Sequence, residues 1–421
     1  MTWLLFTLYL LIFCWLVANN RFMLNSGITP KILIALFLLK VMIGIANGWL
    51  MLHYFNGGDT WEYHNQALNE YHLLFTDPKE YVLNIFRSGY QTGYAGLFSS
   101  VNSYWNDLKI NLIIKLLSIF DIFSGGNYYT NVIFFNFIVL FGNLALYKVF
   151  AAIYKGKENL VLIGCFLLPS FLLFTSAIHK EGLILLALGI ALYYIYTSLD
   201  KKRIHVADIT VVFICLVYIF LQRNFVLIAL VPALIAWIWV SAKQYAPLKI
   251  FLVVYGIGAI VFFTAGIVSP SLDLPNYVAQ KQASFLTINN AHSSISIDTL
   301  YPNFTSFIHN APQAFIHATM RPDILDGKKV VFLYPFAIEF ILYQLLLILF
   351  IFVRVQKPVL SINARSFILF GFFFSFSLIM IIGYTIPITG AIIRYRSIYL
   401  PFILTPVLCT INWERIKSHK H

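Results

Sequence analysis

Charged residues are scarce in this chain, and acidic residues are the scarcest of them. Of the 421 residues 11% are charged, and 17 Asp and Glu stand against 29 Lys and Arg. Soluble domains carry about 25% charged residues. This shortage of charge, with 60% hydrophobic residues and a mean hydropathy of +0.80, excludes a soluble globular domain. It indicates an integral-membrane protein that crosses the bilayer many times.

Cysteine is also scarce, and its placement argues against the usual cysteine chemistry. The four cysteines lie inside apolar segments, without the spacing of a zinc site or of a disulfide framework, so we expect them to pack in the core. The N-terminal run Thr2 to Ala18 has no basic segment and no clear small-residue cleavage site. We therefore predict a retained first helix and not a signal peptide.

Apolar runs long enough to cross a bilayer recur along the whole chain. A transmembrane helix needs about 20 mostly apolar residues, and about eleven segments approach or exceed that length. We predict an all-α polytopic membrane protein that forms a single membrane domain over residues 1–421. The predicted spans are 2–19, 31–52, 128–150, 159–177, 182–198, 206–222, 224–242, 248–268, 331–353, 366–386 and 395–412.

The basic residues predict the orientation of these spans. Lys and Arg collect on the cytoplasmic side of membrane proteins. With the N-terminus outside, every short inner loop is basic, the C-terminus is cytoplasmic, and the basic excess needs no nucleic acid to explain it. Two long polar stretches then lie outside, a first loop over 53–127 and a second over 269–330. The inner basic residues are Arg21, Lys31, Lys148, Lys155, Lys157, Lys201, Lys202, Arg203, Lys243, Lys249, Arg354, Lys357, Arg365, Arg415, Lys417 and Lys420.

Both outer loops contain segments that predict short helices at the membrane interface. Residues 108–123 carry charges among apolar residues at helical spacing, which is typical of an amphipathic helix lying in the interface. In the second loop Leu274 to Phe285 is a further candidate helix. The first loop is rich in aromatic residues, which suit either the interface or stacking on sugar rings. They are Tyr54, Trp61, Tyr63, Tyr71, Tyr81, Tyr90, Tyr94, Tyr104 and Trp105.

The first outer loop opens on the sequence GGDTWEYH, Gly57 to His64, directly after an apolar span. Two glycines allow the backbone to turn sharply as it leaves a helix. Asp59 then follows where the lipid ends, and a charge so close to hydrocarbon indicates a functional site. The alternative is a helix N-cap formed by Asp59 or Thr60.

Two very short outer turns carry further charge. One contains His179, Lys180 and Glu181, and the other contains Arg223. A charged cluster at this depth suits an anionic head group. The alternative is that these are solvated turn residues whose long side chains reach back to the interface.

Arg394 and Arg396 lie at the outer mouth between the last two spans. Residues two apart diverge by about 200° in a helix and share a face in an extended chain. Arginine binds phosphate through two parallel charge-assisted hydrogen bonds, so the pair indicates a phosphate site, with an interface anchor as the alternative.

The predicted topology places all of these groups at one membrane face. A carboxylate beside several cations suits a lipid phosphate whose tail lies in the bilayer. The cations would bind the phosphate and stabilise it as it leaves. Asp59 would act as a base toward an acceptor hydroxyl, or as a ligand for a divalent cation such as Mg²⁺ or Mn²⁺.

Three charged residues fall inside predicted spans, namely Lys40, Asp208 and Glu339. Charges within the membrane mark functional sites by default. The alternative is mutual pairing inside the helix bundle.

An acidic residue with a nearby tyrosine at the start of an outer loop, as in Asp59 to His64, resembles the integral-membrane glycosyltransferases of the GT-C type. The resemblance implies an all-helical enzyme of the bacterial inner membrane, with its active site outside and inverting transfer from a polyprenyl-phosphate-linked sugar donor to a lipid, glycan or protein acceptor. It implies the role of catalytic base or metal ligand for Asp59, with Glu62 as a second candidate. His64, in the same motif, joins the candidate substrate-binding residues, which are His64, His179, Lys180, Glu181, Arg223, Arg394 and Arg396.

Two other classes of function stay open at this point. The segments around His179 and Arg394 also resemble bacterial membrane proteins grouped with such transferases and with polysaccharide polymerases. An O-antigen or exopolysaccharide polymerase or ligase would use a polyprenyl-diphosphate glycan. A lipid flippase or a transporter would use Lys40, Asp208 and Glu339 along a path. Against a transporter, the sequence contains no repeated halves with matching broken helices.

Overall fold

The computed structural model describes residues 2–86, 104–287, 293–354 and 360–418. These ranges contain helices and no β-strand, with isolated bridges at Ser294–Ile388 and Arg354–Ile411. The all-α prediction is confirmed for this part of the chain. Four residues used in the sequence analysis lie outside the described residues, as do segments of both predicted outer loops. They are Tyr90, Tyr94, Lys357 and Lys420, with residues 87–103 and 288–292.

The first half of the chain contains ten α-helices among the described residues. The prediction of a helix over 108–123 is confirmed, since α6 covers it. In chain order the helices are α1 (Thr2–Asn19), α2 (Arg21–Leu24), α3 (Pro30–Tyr54), α4 (Gly58–Thr76), α5 (Pro78–Leu83), α6 (Tyr104–Ser124), α7 (Tyr128–Ile153), α8 (Glu158–Leu162), α9 (Pro169–Ser176) and α10 (Lys180–Lys201).

The second half adds eleven α-helices within the same described ranges. The candidate helix at Leu274 to Phe285 is confirmed as α14. In chain order they are α11 (Val206–Gln222), α12 (Asn224–Lys243), α13 (Pro247–Val268), α14 (Leu274–Leu286), α15 (Phe304–Met320), α16 (Ile324–Lys329), α17 (Tyr334–Phe352), α18 (Ile362–Thr385), α19 (Thr389–Arg396), α20 (Leu400–Thr410) and α21 (Trp413–Ser418).

Many of these helices have the length and composition of membrane spans. Among the described residues seven helices are long and apolar enough to cross a bilayer, and nine spans result if each of two bent helix pairs counts as one. Two shorter apolar helices, α1 and α11, add to these. The chain is therefore a multi-pass α-helical membrane protein.

Two of the predicted spans are broken helices. The segment from Glu158 continues from α8 through a π-helical turn at Ile163–Leu167 and then bends by 54° into α9. Pro169 begins α9, and the preceding residue Leu168 is extended, because a proline disfavours helical geometry in the residue before it. The last predicted span, 395–412, is also not straight, since α19 and α20 meet at 62°.

The centre of the bundle is α7. Most of its length is buried, and it packs against α10, α3, α1 and α6. The approach of α7 to α10 requires glycine, because a Cβ on Gly189 would lie 2.3 Å from the carbonyl oxygen of Gly142. Close contact between small residues is the usual way for membrane helices to pack. By contrast, α13 is mostly exposed, as expected for a helix that faces lipid.

Contacts at one end of the bundle join segments that the basic residues assign to the inner side. The Lys148 ammonium donates to the Phe22 carbonyl at 2.6 Å, and the Lys157 ammonium donates to the Cys409 carbonyl. The charged residues that we predicted as a site lie at the other ends of these helices. The 22 residues of α10, for example, separate Lys180 from Lys201 by about 30 Å.

Candidate functional site

A cavity of about 310 Å³ lies where α10, α11, α12, α18 and α19 end or begin, with α4, α6, α13 and α14 completing its wall. It has a polar side and an apolar side. The polar lining residues are Asp59, Tyr63, Lys109, Lys180, Gln222, Arg223, Asn224, Tyr277, Lys281, Thr385, Arg394 and Tyr395, and the apolar ones include Phe225, Ile228, Phe262, Phe285, Ile381, Ile382 and Ile386.

The turn before α4 positions Asp59. Gly57 has φ +89° and serves as the N-cap of α4, so Asp59 lies in the first helical turn and neither Asp59 nor Thr60 is the cap. The N-cap alternative is therefore wrong. Trp61 anchors the helix, since its indole nitrogen donates to the Gly48 carbonyl at 2.8 Å. A first-turn carboxylate is favoured there by the helix dipole.

Asp59 forms an ion pair with Arg394, and both side chains line the cavity. An Arg394 guanidinium nitrogen donates to Asp59 Oδ2 at 2.6 Å, and half of the Asp59 side chain remains exposed. Burial alone would raise the pKa of Asp59, but Arg394 and His179 outweigh it and leave this pKa below its usual value. Asp59 is therefore ionised at neutral pH, and Arg394 opposes its protonation.

Glu181 lies between two arginines. Arg223 Nη2 donates to Glu181 Oε1, and Arg394 Nε lies 3.7 Å from the same oxygen. The side chain of Glu181 is 1% exposed, so the carboxylate sits behind the cavity wall and holds both guanidinium groups toward the cavity. The Arg223 guanidinium also lies 4.1 Å from the centre of the Tyr395 ring, which fixes it further.

Three lysines complete the cationic lining. The Lys180 ammonium lies 5.5 Å from the centre of the Tyr63 ring. Burial, together with the nearby charges of Lys281 and Arg223, lowers the pKa of Lys109 to about 8. Burial lowers the pKa of Lys281 as well. Like charges are thus crowded around one cavity, which favours binding of an anion.

Arg396 points away from this cavity. Its side chain donates to the carbonyls of Ala318 and Arg321 and lies 4.3 Å from the centre of the Phe340 ring. Helix α19 includes both Arg394 and Arg396. Their side chains therefore point in different directions, as expected for residues two apart in a helix. The structure brings Arg394 and not Arg396 into the cluster.

Three other predicted site residues also lie outside the cavity lining. Glu62 is exposed and accepts a hydrogen bond from Gln66 on the same helix. His179 is buried just before α10, where burial keeps its pKa low in spite of the nearby Glu181. His64 is buried, with its ring near those of Trp61 and Tyr128.

The buried imidazole of His64 predicts that stability falls in mild acid. Burial lowers its pKa to about 4, so the unfolded chain, with a pKa near 6.5, binds the proton first. Stability should decrease as the pH falls from about 6.5 to about 4, by on the order of 3 kcal/mol. His64→Gln should flatten this part of a melting-temperature profile measured in detergent. An equally steep profile in the variant would contradict this origin of the acid sensitivity.

The donor atoms around Asp59 do not fit a divalent cation. Among the described lining residues Asp59 is the sole carboxylate, beside five cations. No group of three or more His, Cys, Asp or Glu side chains with metal-binding geometry occurs in the described ranges. Mg²⁺ and Mn²⁺ prefer several oxygen ligands, so this lining suits an anion instead.

Two cations of the cavity were missed as site residues in the sequence analysis. Lys109 lies within the amphipathic interfacial helix predicted over 108–123, and Lys281 lies within the helix predicted at Leu274 to Phe285. Their sequence signal was a lone lysine in an outer segment, which is common at any interface. Only the packing of α6 and α14 around the cavity distinguishes them.

Comparisons of the chain with protein-family models, with curated proteins and with solved structures give no match.

Proposed function

We propose that this protein is a membrane glycosyltransferase that takes a sugar from a polyprenyl-phosphate-linked donor and transfers it to a lipid, glycan or protein acceptor. The observation that carries the proposal is a single cavity that joins five cations and one carboxylate to an apolar wall. A lipid phosphate has the matching two parts, a charged head and a hydrocarbon tail.

The cations serve the leaving phosphate. Arg223 and Arg394 are held in place by Glu181, so the cost of ordering them is met before the donor binds. Preorganised donors of this kind stabilise the charge that develops as the phosphate departs. The apolar side of the cavity, which includes Phe225, Phe262 and Ile382, would hold the first isoprene units of the tail.

Asp59 serves the acceptor. Its carboxylate takes the proton of the acceptor hydroxyl while that oxygen attacks the anomeric carbon of the sugar. The bond between this carbon and the phosphate oxygen breaks, the polyprenyl phosphate leaves with the bonding electrons, and the configuration inverts. In the ligand-free site Asp59 is a weak base, because Arg394 lowers its pKa. The donor phosphate competes for Arg394 and so frees the carboxylate for this step.

A polymerase or ligase acting on a polyprenyl-diphosphate glycan is the second candidate. The excess of cations over carboxylates in the lining favours it, since a diphosphate carries more negative charge than a phosphodiester. The two functions differ in product, because a polymerase lengthens a glycan in units while the transferase adds single sugars.

The orientation belongs to the same proposal. Around eleven spans result if α1, α11 and both bent pairs all cross the bilayer with the seven long helices. With the N-terminus outside and the C-terminus cytoplasmic, the basic loops lie inside and the cavity faces outward, as the resemblance implies for a bacterial inner membrane. Accessibility labelling at the ends of α10 would test which end is external.

The proposal is tested by reconstituting the purified protein with radiolabelled polyprenyl-monophosphate sugars and, separately, with a polyprenyl-diphosphate oligosaccharide. Release of label from the monophosphate donor supports the transferase. Lengthening of the diphosphate oligosaccharide without such release supports the polymerase. A protein that binds neither lipid, as measured by equilibrium binding, would overturn both candidates.

The neighbouring arginines of α19 offer a matched pair of variants for the phosphate site. Arg394→Ala should weaken binding of a polyprenyl phosphate by about tenfold to 100-fold, since a charge-assisted hydrogen bond contributes about 1.5–3 kcal/mol. Arg396→Ala should lower the melting temperature, because the carbonyls of Ala318 and Arg321 lose the buried guanidinium that donates to them, and should leave the affinity of the folded protein unchanged. Equal affinities of the two variants would contradict this placement of the site.

A further inference from the structure

In the short helix α9, Ser170 in the first turn and Thr175 and Ser176 in the last turn are buried, so these end groups are out of reach of water. The first N–H groups and the last carbonyls of any helix lack partners within the helix, and in a membrane they must be satisfied by protein. In α9, which has eight residues, both ends meet a charged side chain from another helix.

Glu339 of α17 lies at the first turn of α9. Its Oε1 atom accepts from the Ser170 backbone nitrogen at 2.9 Å and from the Ser170 hydroxyl at 3.0 Å. The Tyr343 hydroxyl donates to the same oxygen and holds it in place. A carboxylate is the favourable charge at this end of a helix, because the backbone dipoles make it positive.

Lys40 of α3 lies at the last turn of α9. Its ammonium donates to the Thr175 carbonyl at 3.2 Å and to the hydroxyls of Thr175 and Ser176 at 3.3 and 3.2 Å. Lys40 is 1% exposed, so these contacts replace water for the whole charge. A cation is the favourable charge at this end. The signs of both intramembrane charges therefore match the dipole of the helix between them.

The last turn of α9 leads directly into the candidate site. Only Ala177, Ile178 and His179 separate it from the start of α10. The first two residues of α10 are Lys180, which lines the cavity, and Glu181, which holds Arg223 and Arg394. A shift at the end of α9 would therefore be passed to both groups through three residues of chain.

We propose that Lys40 and Glu339 are positioning residues that clamp α9 at its two ends and thereby fix Lys180 in the cavity lining and Glu181 behind it. The clamp is a matter of geometry, while its consequence for lipid-phosphate binding rests on the proposed function. The charges of Lys40 and Glu339 are both used in hydrogen bonds to the ends of one short helix. Residues of a transport path would instead present their charges to the transported solute.

The first test measures the clamp without any ligand of the proposed function. In a background with the four native cysteines replaced by alanine, the thiol introduced by Lys180→Cys is reacted with an anionic thiosulfonate reagent. Adding Lys40→Met or Glu339→Gln should change the reaction rate by about threefold or more, because the thiol and the arginines move relative to each other. Lys40→Arg, which keeps the charge, should restore most of the rate.

Two matched control variants separate positioning from general loss of stability. Lys148→Met removes another lysine that donates to a backbone carbonyl, at Phe22, and Asp121→Asn neutralises another buried carboxylate, which accepts from Asn131. Both should lower the melting temperature and leave the thiol rate unchanged. A rate that does not respond to Lys40→Met and Glu339→Gln, or that responds as strongly to the controls, would overturn the clamp.

The second test asks whether the clamp matters for the ligand. The folded fraction of each variant, separated by size exclusion, is titrated with a short-chain polyprenyl phosphate. Lys40→Met and Glu339→Gln should weaken binding by about tenfold, and the two controls should not. If the wild type binds no lipid phosphate while the thiol rates respond as expected, the clamp stands and the proposed function fails. If the wild type binds and the clamp variants bind equally well, positioning of the anion site is refuted.

Discussion

Asp59→Asn is expected to abolish sugar transfer while making the protein bind polyprenyl phosphate more tightly than the wild type. Transfer should fall by about 100-fold or more, which is the usual effect of removing a general base. Affinity should rise by about tenfold. In the wild type Arg394 is paired with Asp59 at 2.6 Å and must leave this charged partner to bind the phosphate, whereas in Asp59→Asn the partner is neutral. Transfer from a radiolabelled donor and equilibrium binding of the product lipid measure the two effects.

Glu62→Gln is the comparison for this variant. Glu62 lies on the same helix as Asp59, but it is exposed and accepts a hydrogen bond from Gln66, so both activity and affinity should stay near those of the wild type. If Asp59→Asn bound the lipid more weakly, the carboxylate would be a contact of the ligand and not its competitor. If transfer survived in Asp59→Asn and not in Glu62→Gln, the base would be Glu62.

Glu181→Gln is expected to destabilise the protein strongly, and an anionic ligand is expected to restore much of the loss. Removing one partner of a buried ion pair costs about 3–5 kcal/mol, and here two guanidinium groups lose the same carboxylate. Melting temperatures in detergent, compared at one scan rate, should be far below the wild type. Polyprenyl phosphate should raise the melting temperature of the variant by more than it raises that of the wild type, because its charge replaces the lost one.

The ion pair between Glu70 and Lys115 provides the control. It joins α4 to α6, and the side chain of Glu70 is 21% exposed, whereas that of Glu181 is 1% exposed. Glu70→Gln should therefore cost less, and added lipid phosphate should not restore the loss selectively. A similar rescue of both variants would mean that the ligand stabilises the bundle in general, and the arginines would then lose their assignment as the phosphate contacts.

The membrane helices were predictable because lipid places a strong demand on sequence. A span must be apolar for most of its length, and its backbone must satisfy itself as a helix. Helices such as α7 and α18 follow from their apolar runs alone, and α6 from helical spacing within a polar loop, while α14 was a candidate helix in the second polar loop. The bends in the spans were not predicted. Pro169 marks the first bend in the sequence, but a proline within a span permits either a kink or a full break.

The candidate site was predicted in part, for a similar reason. Charges near hydrocarbon are few, so Asp59, Lys180, Arg223 and Arg394 could be selected from the sequence, and they do meet at one cavity. The sequence did not indicate which of these charged side chains form ion pairs with each other. Glu181 was predicted to contact substrate, and only the structure places its carboxylate between two arginines.

Residue type and hydropathy therefore sufficed for the class of protein, the approximate spans and most of the charged cluster, because each of these depends on what a segment tolerates locally. Packing between distant segments decided the rest. It separated Arg394 from Arg396, brought Lys109 and Lys281 to the cavity, and set Lys40 and Glu339 at the two ends of α9. These outcomes depend on how helices that are far apart in the chain pack against each other, and a local sequence pattern carries no information about such packing.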